Sequence, residues 1–415
     1  MIILFKNDKP FIEGVCLDEL TTTVETPFYL YSQKSITDAY KKLKDSLNTK
    51  IFFSVKANSN QAIISLMKSL GAGADVVSAG ELERALRAGI SPDKIIFEGV
   101  GKSLNDIEYA VHSNIRQINI ESMEELNMIN AIGQTLNKKI IIGIRLNPDI
   151  DSQSHYKIST GRKTDKFGIT FDLLPDLCSE IKKSEQIQLN GISCHIGSQI
   201  HDIKIFEKVF NKMKKATEII KENDLSIDHL DLGGGFGVVY DDEKELNLKE
   251  LSSLISSIFK NTTYDISFEP GRYLVANAGV VITKILTTKT NESVNYLITD
   301  AGMQTLLRPA IYNAFHNIIA LTNISNDKIE YTVAGPICES SDILAKKILL
   351  SQQQTGNYLA ICDTGAYGAV MSSNYNTKGL PAEILIYNDN FSIIRNHEKI
   401  SDIIARDIIP NWLRN

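Results

Sequence analysis

The chain has 415 residues, 43% hydrophobic and 23% charged, with a formal net charge of −6 at pH 7; that length exceeds what one core usually organises, so two domains are expected. Positive residues are scattered along an acidic chain, which excludes a nucleic-acid footprint or an anionic-membrane patch, and no stretch approaches the ~18 apolar residues that span a bilayer. The opening Met1-Ile2-Ile3-Leu4-Phe5 is too short for a signal sequence, and Cys16, Cys178, Cys194, Cys338 and Cys362 are odd in number and hold no C-x-x-C pair, so a reduced, cytoplasmic protein without disulfide framework or metal site is expected.

In chain order, Phe28-Tyr29-Leu30-Tyr31 reads as a strand within residues 1–34. From 35 to 275, short apolar runs alternate with amphipathic stretches, the signature of repeated βα units and a parallel sheet. The candidate strands are 51–55, 74–77, 95–98, 117–120, 140–145, 189–195, 228–232 and 265–269, with helical patterns such as Gln61–Leu70, Gly80–Ala88, Met123–Ile132 and Ile205–Lys221 between them. Eight such units predict an α/β fold of the (β/α)8 barrel type. After residue 276 the pattern changes to β-rich segments punctuated by Gly, Pro and Asn: Val280–Thr287, Val294–Thr299, Ile329–Val333, Tyr358–Cys362 and Ala382–Tyr387. They predict a mostly antiparallel second domain, formed by 276–415 together with 1–34.

In a barrel the chemistry lies at the carboxyl ends of the strands. Those ends read Lys56, Asp75, Glu98, Arg145, His195, Gly233-Gly234-Gly235 and Glu269, where strands buried on both faces should otherwise end in Val, Ile or Leu. A desolvated lysine held as a neutral amine traps aldehydes. Glycines in Asp231-Leu232-Gly233-Gly234-Gly235-Phe236-Gly237 let backbone N–H groups approach a phosphate, and His195 in Cys194-His195-Ile196-Gly197-Ser198-Gln199 could stack on a ring. The carboxylate of Phe268-Glu269-Pro270-Gly271-Arg272 would keep a pyridine nitrogen protonated, and Arg272 could grip phosphate or carboxylate. Each motif alone also reads as a strand-end cation, a tight turn, a structural histidine or a surface ion pair. Together they meet the four needs of pyridoxal 5'-phosphate. The seven histidines show no metal-ligand spacing.

Beyond these motifs, the chain resembles the fold type III pyridoxal-phosphate decarboxylases, and among them the diaminopimelate decarboxylases, over nearly its whole length. The resemblance rests on FFSVKANSN, GADVVSAGELERAL, FEGVGKS, RLNPDIDSQSHYKISTGRKTDKFGI, CHIGSQI, DLGGGFG, FEPGR, RPAIYNAFH, GPICESSD and GAYGAVMSSNYN. It implies loss of CO2 from meso-2,6-diaminopimelate to give L-lysine, the last step of lysine biosynthesis. It assigns the covalent cofactor link to Lys56 and ring stacking to His195. Asp75, Ser198, Gly234, Gly235, Gly271, Arg272 and Tyr367 would lie at the cofactor or its phosphate, with Glu269 on the pyridine nitrogen. For the substrate it implies Arg308, Tyr312 and Arg272 on the distal carboxylate, Glu339 on the distal ammonium and Tyr367 nearby. Cys338 is the implied proton donor. Cys338 and Glu339 would enter the neighbouring subunit's site, making a homodimer with shared sites. One departure is visible: Leu380-Pro381 stands where relatives commonly have Arg-Pro. A decarboxylase of D-ornithine, lysine or a carboxy-polyamine keeps every cofactor residue. A racemase-like enzyme and a cofactor-free regulator also remain open.

Overall fold

The computed structural model describes residues 2–151, 160–322 and 327–414. Within it the chain forms two compact units, one of Asp38–Val239 and Glu243–Leu274, the other of Met1–Thr37, Tyr240–Asp242 and Val275–Asn415. Among the described residues no helix is long and apolar enough to cross a membrane.

The first unit is a closed barrel of eight parallel strands. They are β1 (Lys50–Ser54), β2 (Gly73–Val76), β3 (Ile95–Phe97), β4 (Gln117–Ile120), β5 (Ile140–Asn147), β6 (Ile187–Cys194), β7 (His229–Asp231) and β8 (Asp265–Phe268). Each pairs with the next in parallel, and β8 returns to β1 with Ser267 opposite Lys50 and Phe268 opposite Ile51. All eight fall where the apolar runs placed them, with no end more than two residues away and Gln117–Ile120 matched at both ends.

The intervening helices begin where short polar side chains can cap them. Asn60 accepts from the Ala62 N–H, Ser78 from Glu81, Ser122 from Glu125 and Asp202 from Lys204. Ser103 and Asp106 form a reciprocal capping box, each such cap worth about 1 kcal/mol. Outside the sheet, the ring of Phe236 packs on Phe268 with centroids 5.3 Å apart, and Phe210 joins them at 6.2 Å from Phe268. Inside the barrel the usual branched aliphatic layers give way to polar side chains. Asp75, Glu98, Gln117, Asn119, Arg145, Ser193, Asp231 and Ser267 are all buried.

The second unit is one large sheet with a small three-stranded sheet, Ile3–Lys6, Lys9–Ile12 and Val15–Cys16, beside it in sequence. Its centre is the long strand Gly279–Asn291, which pairs antiparallel with Phe28–Ser32, Tyr358–Ile361 and Val294–Thr299. The sheet is mostly antiparallel, with two exceptions. Val294–Thr299 runs parallel to Lys328–Ala334, and Phe28–Ser32 runs parallel to Ala382–Tyr387. Strands Ile343–Ser351 and Asn390–Arg395 were not evident from their composition. Its core gathers Ile12, Leu17, Phe28, Leu30, Val280, Ile282, Ile384 and Ile386.

Candidate active site

In the barrel the candidate residues stand on β1, β2 and β8. β1 ends at Ser54 and the chain tightens into a single 3-10 turn, Val55–Ala57, which carries Lys56. The Lys56 ammonium lies 2.8 Å from Asp75 Oδ2, with the lysine side chain one-third exposed and the aspartate fully buried. Ser54 ties three strands together, its hydroxyl meeting Asp75 Oδ2 at 2.7 Å and the Glu269 carbonyl at 2.9 Å. Gly271 packs against this turn: a Cβ there would sit 2.9 Å from Ala57 Cβ and 3.0 Å from Ser54 Cβ. Glu269 is buried and its Oε1 has no hydrogen-bond partner among the described residues. Burial, and then the carboxylates Asp231, Asp75 and Glu98, push its pKa well above the usual carboxylate value.

His195 follows β6. Desolvation, then the Lys56 and Arg145 cations, hold its pKa well below the ordinary imidazole value, so the ring is neutral. Its Nδ1 accepts the Gly234 N–H at 3.3 Å, which leaves the proton on Nε2. In the glycine loop, Gly233 has φ +71° and Gly235 φ +87°, a backbone that L side chains rarely adopt. A Cβ would lie 2.1 Å from the Cys194 carbonyl oxygen at Gly233 and 2.7 Å from that of Gly197 at Gly235. Beside this loop, Arg272 Nε donates to Ser198 Oγ at 3.0 Å. Arg145 pairs with Glu121 at 3.0 Å and with Glu98 at 3.6 Å.

The remaining motif residues lie in the second unit. Arg308 opens the short helix Arg308–Tyr312 and is buried. His316 Nδ1 sits 2.8 Å from the Cys362 carbonyl oxygen, which makes Nδ1 the donor and Nε2 the acceptor for Arg308 Nη1 at 2.9 Å. The guanidinium also lies 4.8 Å from the Tyr240 ring centroid, a cation–π contact. Glu339 is exposed and accepts from the Tyr375 hydroxyl at 2.5 Å and the Ser341 hydroxyl at 2.9 Å. Those two donors hold its pKa below the usual value. Asp342 takes the N–H groups of Ile337 at 2.7 Å and Met303 at 2.6 Å, which fixes the loop presenting exposed Cys338. Tyr312 and Tyr367 are half-buried, the latter in the left-handed region at φ +55°.

Residues 33–276 match the family model described as pyridoxal-dependent decarboxylase, pyridoxal binding domain. A diaminopimelate decarboxylase of Aquifex aeolicus is 39% identical over 402 residues, covering 96% of each chain. The chain belongs to the diaminopimelate decarboxylases. Among solved structures, the family's M. jannaschii member in complex with L-lysine superposes with a TM-score of 0.94 at 34% identity, covering 99% of this chain and 98% of that one. A Helicobacter pylori diaminopimelate decarboxylase, also complexed with L-lysine, gives 0.88 at 38% identity over 94% of this chain and 98% of the other.

Pyridoxal 5'-phosphate is the cofactor, and the barrel residues fit it. Glu269 Oε1 is a stranded buried acceptor that a pyridine N–H would satisfy, and the collisions at Gly233 and Gly235 mark a backbone that admits no side chain beside a phosphate. Lys56, Asp75, Glu269 and Gly271 stand together at β1, β2 and β8, and His195 meets Gly234 directly. Ser198 and Arg272 are joined to each other. Residues 152–159, in the middle of the RLNPDIDSQSHYKISTGRKTDKFGI stretch, lie outside the described residues.

Five further contributors escaped sequence reasoning: Ser54, Glu121, Tyr240, His316 and Asp342. His316 and Asp342 end the quoted motifs RPAIYNAFH and GPICESSD, and that position was the available signal. Tyr240 carried none, because its partner Arg308 is 68 positions away.

Proposed function

We infer that this chain removes CO2 from meso-2,6-diaminopimelate to form L-lysine, the last step of lysine biosynthesis, with pyridoxal 5'-phosphate as cofactor. The observation that carries the reading is the unpartnered Glu269 Oε1, because an orphaned buried acceptor is costly unless a ligand donor meets it. The bound cofactor supplies an aldehyde and an electron-accepting ring.

The chain's own groups do the rest. Lys56 offers the amine for covalent attachment, and Asp75 orients that amine and takes it back as an ammonium on release. Neutral His195 presents a flat face for the ring. The Gly234–Gly235 backbone, Ser198 and Arg272 hold the phosphate, with Gly271 and Tyr367 beside it. Glu269, ionised opposite a pyridine nitrogen, keeps the proton on that nitrogen. Arg308, aimed by His316 and Tyr240, takes the substrate's distal carboxylate with Tyr312 and Arg272. Glu339 takes the distal ammonium.

A substrate whose distal end carries both an ammonium and a carboxylate requires both signs of partner. Lysine lacks the distal carboxylate and would forgo the charged contact with Arg308, a loss of about 1–3 kcal/mol. Cys338, an exposed thiol, delivers the proton that replaces the lost carboxylate.

The active unit is a homodimer in which exposed Cys338 and Glu339 enter the partner's site. The enzyme works in the cytoplasm, as its free cysteines suit a reducing compartment. The test is incubation with pyridoxal phosphate and meso-diaminopimelate, with lysine and CO2 measured. No lysine formed, with CO2 released from ornithine or lysine instead, would overturn the substrate assignment.

A further inference from the structure

Between β3 and β8 runs a chain of buried polar side chains that the reaction described above does not use. Glu98 Oε1 already receives the Ser193 hydroxyl at 2.8 Å. Asn119 faces both that oxygen and Ser193 Oγ, two acceptors, and so presents Nδ2 to them. Its Oδ1 therefore points at Gln117, which presents Nε2 at 2.5 Å. The remaining oxygen, Gln117 Oε1, takes the Asn190 amide at 2.6 Å and faces His229 Nδ1 at 3.3 Å. Nδ1 must then carry the proton. The far nitrogen, Nε2, meets Ser267 Oγ at 2.8 Å, and the same Oγ is hydrogen-bonded to Asp231 Oδ2.

A serine hydroxyl has one proton to give. With a neutral imidazole protonated on Nδ1, that proton goes to Nε2, and the short contact between Ser267 and Asp231 is left with two acceptors unless the acid supplies its own. We propose that Asp231 is held as a protonated carboxylic acid at neutral pH, donating to Ser267, and that it is a positioning residue: its Oδ1 anchors the glycine loop while its lost charge leaves Glu269 free to be the anion.

The anchor is the Gly233 N–H, 2.8 Å from Asp231 Oδ1. Room for the amide pair comes from Gly143 on β5, where a Cβ would sit 2.0 Å from Asn119 Oδ1 and 2.3 Å from Gln117 Nε2. The groups facing Asp231 come from strands all round the barrel: Asp75 on β2, Glu98 after β3, Cys194 on β6, His229 on β7 itself, and Ser267 and Glu269 on or after β8. The proton has two possible seats, because reversing every link would place it on Glu98. Burial raises both carboxyls. Glu98, however, has the Arg145 guanidinium 3.6 Å away and two donors on Oε1, which favour its anion. Asp231 has one backbone N–H and, among the described residues, no lysine or arginine in contact, only the neutral His229 imidazole with Nε2 4.0 Å from Oδ2. Burial pushes its pKa up, and His229 is pushed down to about 3, also by burial, and stays neutral. The benefit to Glu269 rests on the cofactor role given to Glu269 above. The proton on Asp231 does not, and it has its own readout.

That readout is infrared difference spectroscopy of the full-length, cofactor-loaded protein at neutral pH, comparing wild type with Asp231→Asn, Glu98→Gln and Ser267→Ala. The expected result is a protonated-carboxyl C=O band present in wild type and Glu98→Gln, absent in Asp231→Asn, and shifted in frequency in Ser267→Ala. A wild-type spectrum without the band, its persistence in Asp231→Asn, or its loss in Glu98→Gln overturns the proposal. If Asp231→Asn does not fold, the Ser267→Ala shift decides, and an unmoved band there overturns it equally.

Discussion

Replacing Glu269 by glutamine should make the cofactor-free protein more stable and the enzyme slower. Glu269 is buried, and burial followed by three carboxylate neighbours raises its pKa. Below the unfolded-state value of about 4.3, the acid is protonated in both states and contributes nothing. As pH rises past that value, the unfolded chain releases its proton first, and folded-state stability falls by up to about 1.4 kcal/mol per pH unit until the folded group titrates as well. The amide carries no such liability. Cofactor-free Glu269→Gln should therefore melt with wild type near pH 4 and above it at neutral pH. Each pH unit of that window, at about 1.4 kcal/mol, is worth roughly 3–6 °C in a unit of this size. With cofactor bound the sign reverses, because a hydrogen bond to an ionised group is worth about 1.5–3 kcal/mol, so kcat should fall roughly 10- to 150-fold. Calorimetric melting across pH and steady-state CO2 release measure the two effects on one preparation. A variant that is less stable than wild type at neutral pH and unchanged in kcat would show that Glu269 is a structural hydrogen-bonding residue, and the cofactor geometry argued from it would fall.

Three further outcomes are expected. His316→Phe removes the acceptor that aims Arg308 at 2.9 Å and should raise KM for meso-diaminopimelate about 10- to 100-fold with kcat largely kept; an unchanged KM would remove Arg308 from the distal carboxylate. Borohydride trapping of the loaded enzyme followed by peptide mapping should place the tag on Lys56, with none in Lys56→Ala, and a tag on any other lysine would break the assignment. Lys56→Ala and Cys338→Ala proteins, each inactive alone, should recover roughly a quarter of wild-type activity when their subunits are exchanged, since half the dimers are mixed and each mixed dimer has one intact site; no recovery would place Cys338 in its own subunit's site, and full turnover with unchanged product stereochemistry in Cys338→Ala alone would end its role as donor.

The barrel was readable because a parallel strand buried on both faces must be an uninterrupted apolar run. The runs before Lys56, Glu98, His195 and Glu269 end abruptly in a polar or charged residue, and Asp75 and Arg145 interrupt theirs within two residues of the end, which marked the strands. The second unit was less readable for the complementary reason. Ile343–Ser351 carries Lys346 and Lys347 in its middle, and Asn390–Arg395 is exposed or half-buried throughout. Neither strand shows the clean alternation that marks a half-buried one, and only backbone pairing to Lys328–Ala334 and Ala382–Tyr387 reveals them. The two parallel pairings were hidden because strand direction depends on how distant segments meet. The active-site residues divide in the same way. The barrel side chains proposed to face a ligand stand at or near strand ends and declare themselves locally. Those that aim them, such as His316 behind Arg308, Asp342 behind Cys338 and Ser54 between Asp75 and Glu269, act through contacts that barrel closure and sheet register create. The interior chain from Glu98 to Asp231 is the extreme case. Gln117, Asn119, Ser193, His229 and Ser267 each read as an unremarkable polar residue interrupting a strand. Only when register sets Asn119 beside Gly143 and Asp231 beside Ser267 does each donor have one acceptor left to choose, and the direction of every hydrogen bond then follows from Glu98.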